Sequence, residues 1–190
     1  PIDYAANFAD FLEDNEDNEA PWIFWYGSRE PHRVFEYGTG KRLGRKSIEE
    51  IDPFPAFFPD NEVVRNDLLD YAFEIEHFDA HLGYMLSLLE EKGELSNTII
   101  IVTADNGMAF PRSKGFQYEH SNHLPMAIMW EQGIKNPGRS VDSYISFVDI
   151  VPTLLEISQV DHHKMDPAGK SMTDIFNDNP EKDRSYILLG

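Results

Sequence analysis

The 190-residue sequence has no cysteine, which excludes disulfides, thiolate zinc sites and a cysteine nucleophile within these residues. Basic residues are also scarce, with 16 Lys and Arg against 34 Asp and Glu, a formal charge of −18. A chain this acidic has no cationic surplus to release counterions from phosphates, so a sequence-independent grip on nucleic acid is not expected. No apolar run approaches the roughly 18 residues of a membrane span, and the first residues lack the basic and apolar regions of a signal peptide. There is no initiator Met, no internal repeat and no polar tail after Tyr186-Ile187-Leu188-Leu189-Gly190, so both ends read as cut.

What is present can fill a core: 41% of the residues are hydrophobic and 13% aromatic, which argues against wholesale disorder. Residues 1–20 carry seven acids and no Lys or Arg, with Phe8, Phe11 and Leu12 at helical spacing ahead of an acidic polar run. They read as an acidic N-terminal helix and loop, set apart from a second region over 21–190. That loop lacks the central Gly and spacing of an EF-hand, so a solvated surface loop is favoured over calcium capture.

Trp22-Ile23-Phe24-Trp25-Tyr26 is a short continuous apolar run stopped by Gly27, the pattern of a strand buried on both faces. Pro53, Pro55, Pro59 and several glycines over 38–61 predict a long surface excursion with no regular element. From Glu62 to Lys92, Leu68, Leu69, Ala72, Ile75, Phe78, Leu82, Met85, Leu86 and Leu89 form a 3.6-period stripe, and Gly93 follows as a C-terminal stop. His77 and His81 lie four apart on that helix. With no third ligand at helical spacing, they read as surface or core-edge histidines.

Ile99-Ile100-Ile101-Val102 is β-branched throughout and predicts the central strand of a parallel sheet. Met126-Ala127-Ile128-Met129-Trp130 predicts a third buried strand, and residues 146–158 a helix beginning near Asp149 so that Pro152 is tolerated. Strand, long helix, strand implies a right-handed crossover, hence an α/β fold with a mostly parallel sheet and helices on both faces.

Chemistry is expected beyond the carboxyl ends of such strands, where Asp105-Asn106-Gly107 follows the β-branched run. Asp105 and Asn106 offer oxygen donors suited to Ca²⁺ or Mg²⁺ more than to zinc; an Asx turn is the alternative reading of the dipeptide. Nine residues on, Lys114 opens a polar stretch bearing His120 and His123 that leads into the third strand. A Lys beside a metal-bound oxyanion neutralises charge on a transferred group, whereas a lone Lys is ordinarily solvated.

Thr98 to Gly107, Lys114-Gly115-Phe116-Gln117-Tyr118-Glu119 and Leu124-Pro125-Met126-Ala127-Ile128 together resemble the C-terminal half of the catalytic core of type I sulfatases, in the alkaline phosphatase superfamily. Phe110-Pro111-Arg112-Ser113-Lys114 looks like the branch that includes the heparan N-sulfatases, or sulfamidases, and their bacterial relatives. The likeness extends through Gly27 to Arg33, Tyr71 to Gly93, Phe147 to Leu155 and Gly169-Lys170-Ser171, in the family's order.

The resemblance implies an alkaline phosphatase-like fold, incomplete here, with 21–190 as a partial catalytic domain whose partner is the remainder of that domain. It implies that Asp105 and Asn106 hold a catalytic Ca²⁺, that Lys114 contacts the sulfate oxygens, and that His32 of Pro31-His32-Arg33 faces the sulfate and its leaving group. His120 and His123 become substrate-pocket candidates, with loop packing as the other reading; His123 stands where most members have an Arg. Gly169-Lys170-Ser171 lacks the earlier Gly of a phosphate-binding loop and is a loop before a short helix.

The implied activity is hydrolysis of sulfate esters or sulfamates on a sulfated carbohydrate of the N- or O-sulfated glucosamine type, as found in glycosaminoglycans. It proceeds through a formylglycine made from the Cys or Ser of Cys/Ser-x-Pro-x-Arg. That motif is absent from the 190 residues, because Ser28, Pro31 and Arg33 stand at the wrong spacing, so the nucleophile is expected upstream and the isolated chain is expected to be inactive. A phosphodiesterase or phosphonate hydrolase of the same superfamily is the first alternative, though zinc-dependent members carry His where Asn106 stands. A non-catalytic acidic binding module is the second. By resemblance alone, the protein is expected in the periplasm or outside the cell.

Overall fold

The computed structural model describes residues 2–160, 165, 167–180 and 184–187, so Leu188, Leu189 and Gly190 of the terminal apolar run lie outside the described residues. The chain forms two compact units, 1–94 and 95–190.

The first unit is built on helices α1 (Tyr4–Asp14), α2 (Thr39–Arg42) and α3 (Glu62–Glu91). Asp3 starts α1, its side chain accepting from the Ala6 N–H at 3.0 Å. The i, i+4, i+8 set Tyr4, Phe8 and Leu12 is buried, as the periodicity predicts. Asn61 caps α3 by accepting from the Val64 N–H at 3.1 Å, and Gly93, at φ +73°, takes the left-handed position past its end. Leu68, Leu69, Met85 and Leu89 supply the buried stripe of α3. Two short helical pieces, α2 and a 3-10 turn at Ile48–Glu50, interrupt the region expected to be irregular. One reason is the fully buried Asp70 of α3, whose carboxylate accepts from the N–H groups of Gly38 and Gly40, each at 2.7 Å. A Cβ on Gly40 would lie 2.8 Å from the Leu69 carbonyl oxygen, so only glycine permits this backbone approach.

Trp22–Tyr26 is extended but joins no ladder among the described residues, which corrects the strand buried on both faces. Its side chains alternate. Trp22, Phe24 and Tyr26 turn inward, with Phe24 4.7 Å from Phe8, Trp22 5.5 Å from Phe11, and Tyr26 stacked on Phe78 at 4.8 Å. Ile23 and Trp25 remain 86% and 88% exposed, because α1 and α3 cover one side of the segment only. His81 sits at the core edge as expected, its Nδ1 accepting from the Ala5 N–H at 3.3 Å and its ring edge-on to Tyr4.

In the second unit, β1 (Ile100–Thr103) pairs with β2 (Met126–Met129), with Ile100 opposite Met129 and Thr103 opposite Met126. The ladder is antiparallel, and it is the only sheet among the described residues. Among the described residues the expected parallel sheet and right-handed crossover are therefore not formed, while the expected α/β class stands as a partial domain with a small sheet and helices. β-branched composition reports a strand's burial, not its partner or direction, and β1 and β2 pair as neighbours in sequence. The short helix α4 (Glu119–Asn122) lies on their connection, and α5 (Ile150–Ile157) and α6 (Thr173–Phe176) follow. Pro152 falls in the first turn of α5, preceded by Asp149, as its missing N–H requires.

Gly169-Lys170-Ser171 is the loop before α6, as expected, and its role is packing. A Cβ on Gly169 would lie 2.0 Å from the Val148 carbonyl oxygen, and the Lys170 N–H donates to Asp149 at 2.7 Å. Buried Arg184 closes this corner, meeting Asp149 at 3.5 Å and Asp174 at 3.2 Å.

Candidate functional site

The antiparallel register brings the end of β1 and the start of β2 to one edge, so the connection over 104–125 carries Asp105, Asn106, Lys114, His120 and His123 together. The Thr103 hydroxyl donates to the Pro125 carbonyl at 2.8 Å and closes the base of this connection. Gly107 lets it fold back on itself, since a Cβ there would lie 2.2 Å from the His120 carbonyl oxygen and 2.8 Å from the Ser121 Cα. The Asp105-Asn106 turn is thereby seated against the start of α4.

Between them, residues 108–116 form a tight loop. The Lys114 N–H donates to the Met108 carbonyl at 3.1 Å and the Phe110 N–H to the same oxygen at 2.7 Å, while Phe110 and Ser113 are buried beneath. Arg112 and Gly115 take positive φ, at 63° and 80°, so the chain reverses on either side of Ser113 and Lys114. Lys114 is exposed and has no ion-pair partner among the described residues. Asn122 donates to the Phe116 and Tyr118 carbonyls at 3.4 and 3.2 Å and holds the far side of the loop to α4. His120 is exposed; His123, also exposed, lies 2.8 Å from Glu119 one turn earlier.

Asp105 is exposed and Asn106 half-buried, and among the described residues neither side chain has a hydrogen-bond partner. An Asx turn would use these oxygens internally, so their freedom fits a pair of donors to a hard cation. They would supply two of the six to eight oxygens that Ca²⁺ takes, and no group of three or more His, Asp or Glu stands with them among the described residues.

His32 belongs to the other unit. Among the described residues its segment joins no sheet, the ladder consisting of β1 and β2. Its loop is held by polar contacts that start at α1. The Tyr4 hydroxyl donates to Glu30 Oε2 at 2.9 Å and accepts from the Arg29 N–H at 3.0 Å, and the Ser28 hydroxyl donates to the same Glu30 oxygen at 2.7 Å. The His32 N–H donates to the Arg29 carbonyl at 2.8 Å, and Arg33 forks onto Asp67 with two bonds of 2.8 Å. The imidazole of His32 is exposed and lines a cleft of about 490 Å³ with Arg29, Glu30, Val34, Phe35 and Glu74.

Burial on its own would raise the Glu30 pKa, but the hydrogen bonds from Ser28, the backbone and Tyr4, with His77 nearby, outweigh it and the net direction is down. Glu74 moves up, chiefly through burial and secondarily through the charge of Glu30. Neither carboxylate stood out from motif spacing. A signal for Glu74 does exist, since it lies three residues after Tyr71 and four before Phe78 and is thus an acid on the inward face of α3.

The family model Sulfatase matches residues 2–160. An ulvan-active sulfatase from Formosa agariphila is 31% identical over 141 residues, 74% of this chain and 23% of that protein. The N-sulphoglucosamine sulphohydrolase of Homo sapiens is 26% identical over 165 residues, 77% of this chain and 32% of its own length. The chain thus spans about a quarter to a third of these relatives. Among solved structures, the sulfatase-family protein yidJ of Bacteroides fragilis superposes with a TM-score of 0.79 over 95% of this chain and 42% of that one, at 21% identity, a likeness of fold.

Proposed function

As the chain belongs to the sulfatase family, we propose that the protein containing it hydrolyses sulfate esters or sulfamates of a sulfated carbohydrate, of the N- or O-sulfated glucosamine type. The observation that carries this reading is the β1–β2 connection, which presents Asp105, Asn106 and Lys114 on one short segment, their side chains without partners among the described residues. The names of the relatives, one ulvan-active and one an N-sulphoglucosamine sulphohydrolase, support the substrate class.

In this reading Asp105 and Asn106 are two ligands of a Ca²⁺, which when bound polarises the sulfuryl oxygens. Lys114 offsets negative charge on those oxygens, and its exposed ammonium is free to do so. His32 hydrogen-bonds the departing nitrogen or oxygen and supplies its proton. The assignment of His32 to the same reaction rests on its place in the Pro31-His32-Arg33 motif. His120, beside the Asp105-Asn106 turn, and His123 contact the sugar. The nucleophile is a formylglycine, whose Cys/Ser-x-Pro-x-Arg precursor is not among these 190 residues. The site of action is the periplasm or the cell exterior; no described helix is long and apolar enough to cross a membrane.

The test uses the full-length matured protein, with sulfate release from N-sulfoglucosamine and from 6-O-sulfated N-acetylglucosamine as the assay and metal content measured in parallel. Release of sulfate with stoichiometric calcium, lost in Asp105→Ala together with the calcium, is expected, while the 190-residue chain alone releases none. Stoichiometric zinc with hydrolysis of phosphonate or phosphodiester substrates instead would overturn the proposal.

A further inference from the structure

We propose that the cleft lined by Glu30, His32 and Glu74 is an ammonium-recognising subsite that favours sulfamates over sulfate esters, with Glu74 as its specificity-determining residue. This rests on the sulfatase reading above and deepens it.

The cleft opposes two carboxylates to one guanidinium, that of Arg29. Glu30 is already committed on one side, because Oε2 receives both Tyr4 and Ser28 while Oε1 has no partner among the described residues. Glu74 has no hydrogen-bond partner there at all. Burial and then the Glu30 charge push the Glu74 carboxyl up, with His77 acting the other way, so that ionising it in this cleft carries a cost. A cation from the ligand removes that cost. Val34 and Phe35 supply apolar wall for a sugar face, and about 490 Å³ falls within the roughly 300–1,000 Å³ of small-ligand sites.

The two candidate reactions differ in the charge they leave at this place. In sulfamate hydrolysis the S–N bond breaks with its electron pair on nitrogen, sulfur gains an oxygen from water, and both water protons end on nitrogen. The products are an ammonium sugar and sulfate. In ester hydrolysis the S–O bond breaks and the sugar leaves as a neutral hydroxyl. Positive charge therefore develops on the leaving atom only for the sulfamate, where His32 is placed to act and where Glu30 and Glu74 would stabilise it.

The experiment compares full-length wild type, Glu74→Gln and Glu74→Asp. The kcat/KM ratio of N-sulfoglucosamine over 6-O-sulfated N-acetylglucosamine is measured, together with calorimetric binding of glucosamine and of N-acetylglucosamine. Glu74→Gln is expected to lower the ratio and the glucosamine affinity by roughly tenfold each, the scale of one charge-assisted contact in a half-open cleft. N-acetylglucosamine binding is unchanged and Glu74→Asp recovers part of the loss. A general packing defect would reduce both substrates alike and leave the ratio untouched, which overturns the inference, as does wild-type protein that binds no glucosamine. Wild type that binds glucosamine through Glu74 yet releases sulfate from neither sugar supports the subsite and sinks the sulfatase reading instead.

Discussion

Gly107→Ala tests the seating of the Asp105-Asn106 turn. The glycine is not in the left-handed region, so what matters is space. A methyl group there would sit 2.2 Å from the His120 carbonyl oxygen, about 1 Å inside an ordinary C···O contact of roughly 3.3 Å. The oxygen belongs to backbone at the start of α4, with the Ser121 Cα 2.8 Å away on the same side, so no side-chain rotation relieves the clash. Either the turn or α4 must move by about 1 Å. Overpacking of this kind costs about 1–3 kcal/mol of stability. Displacement of reacting groups by that distance costs on the order of 10²-fold in rate. In the full-length enzyme, kcat/KM for both sulfated sugars is therefore expected to fall about a hundredfold, with weaker calcium binding and a modest drop in Tm. Gly83→Ala is the control, since nothing lies within 4 Å of its would-be Cβ in α3. It should gain about 0.8–1 kcal/mol from helix propensity and leave the rate unchanged. If Gly107→Ala keeps calcium affinity and kcat/KM within roughly threefold of wild type, the reasoning about this turn is refuted.

Two further outcomes follow from the first unit. Asp70→Ala strands the Gly38 and Gly40 N–H groups, and with two charge-assisted bonds of 2.7 Å lost, chemical denaturation of the full-length protein should show roughly 3 kcal/mol or more of destabilisation, against about half that for Asp70→Asn. Glu30 has its pKa lowered in the folded state, so its contribution to stability is present above the unfolded carboxyl value and is lost as pH falls through the folded one. Ser28→Ala and Tyr4→Phe should each move its NMR-monitored titration upward, and an unchanged titration in both would show that these hydroxyls do not set it.

The three longest helices were legible because their information is local. Tyr4, Phe8 and Leu12 recur at one helical face, Asn61 and Gly93 bracket α3, and Pro152 restricts where α5 can start. Asp105, Asn106 and Lys114 fall on one connection for a related reason, since they lie within ten residues of one another in the chain. Trp22–Tyr26 misled because an apolar run states that side chains prefer burial and not whether a partner strand exists to bury them; Ile23 and Trp25 have none among the described residues. Glu74 is hidden in the sequence among the apolar members of the same helical face, and only its place beside Glu30 in the folded cleft marks it.

Covalent composition and local pattern determined by themselves that the chain is acidic and mixes helices with β-branched strands, with hard oxygen donors after one such strand and without cysteine; its motifs resemble the sulfatases, and the family match bears that out. Only the tertiary structure decided that β1 and β2 run antiparallel, that Gly107 brings Asp105 and Asn106 against α4, and that Glu74 shares a cleft with Glu30 and His32. Propensity and donor chemistry belong to individual residues and their near neighbours. Strand direction, close approach and shared charge depend on backbone hydrogen bonds and burial between segments that only the folded chain brings together.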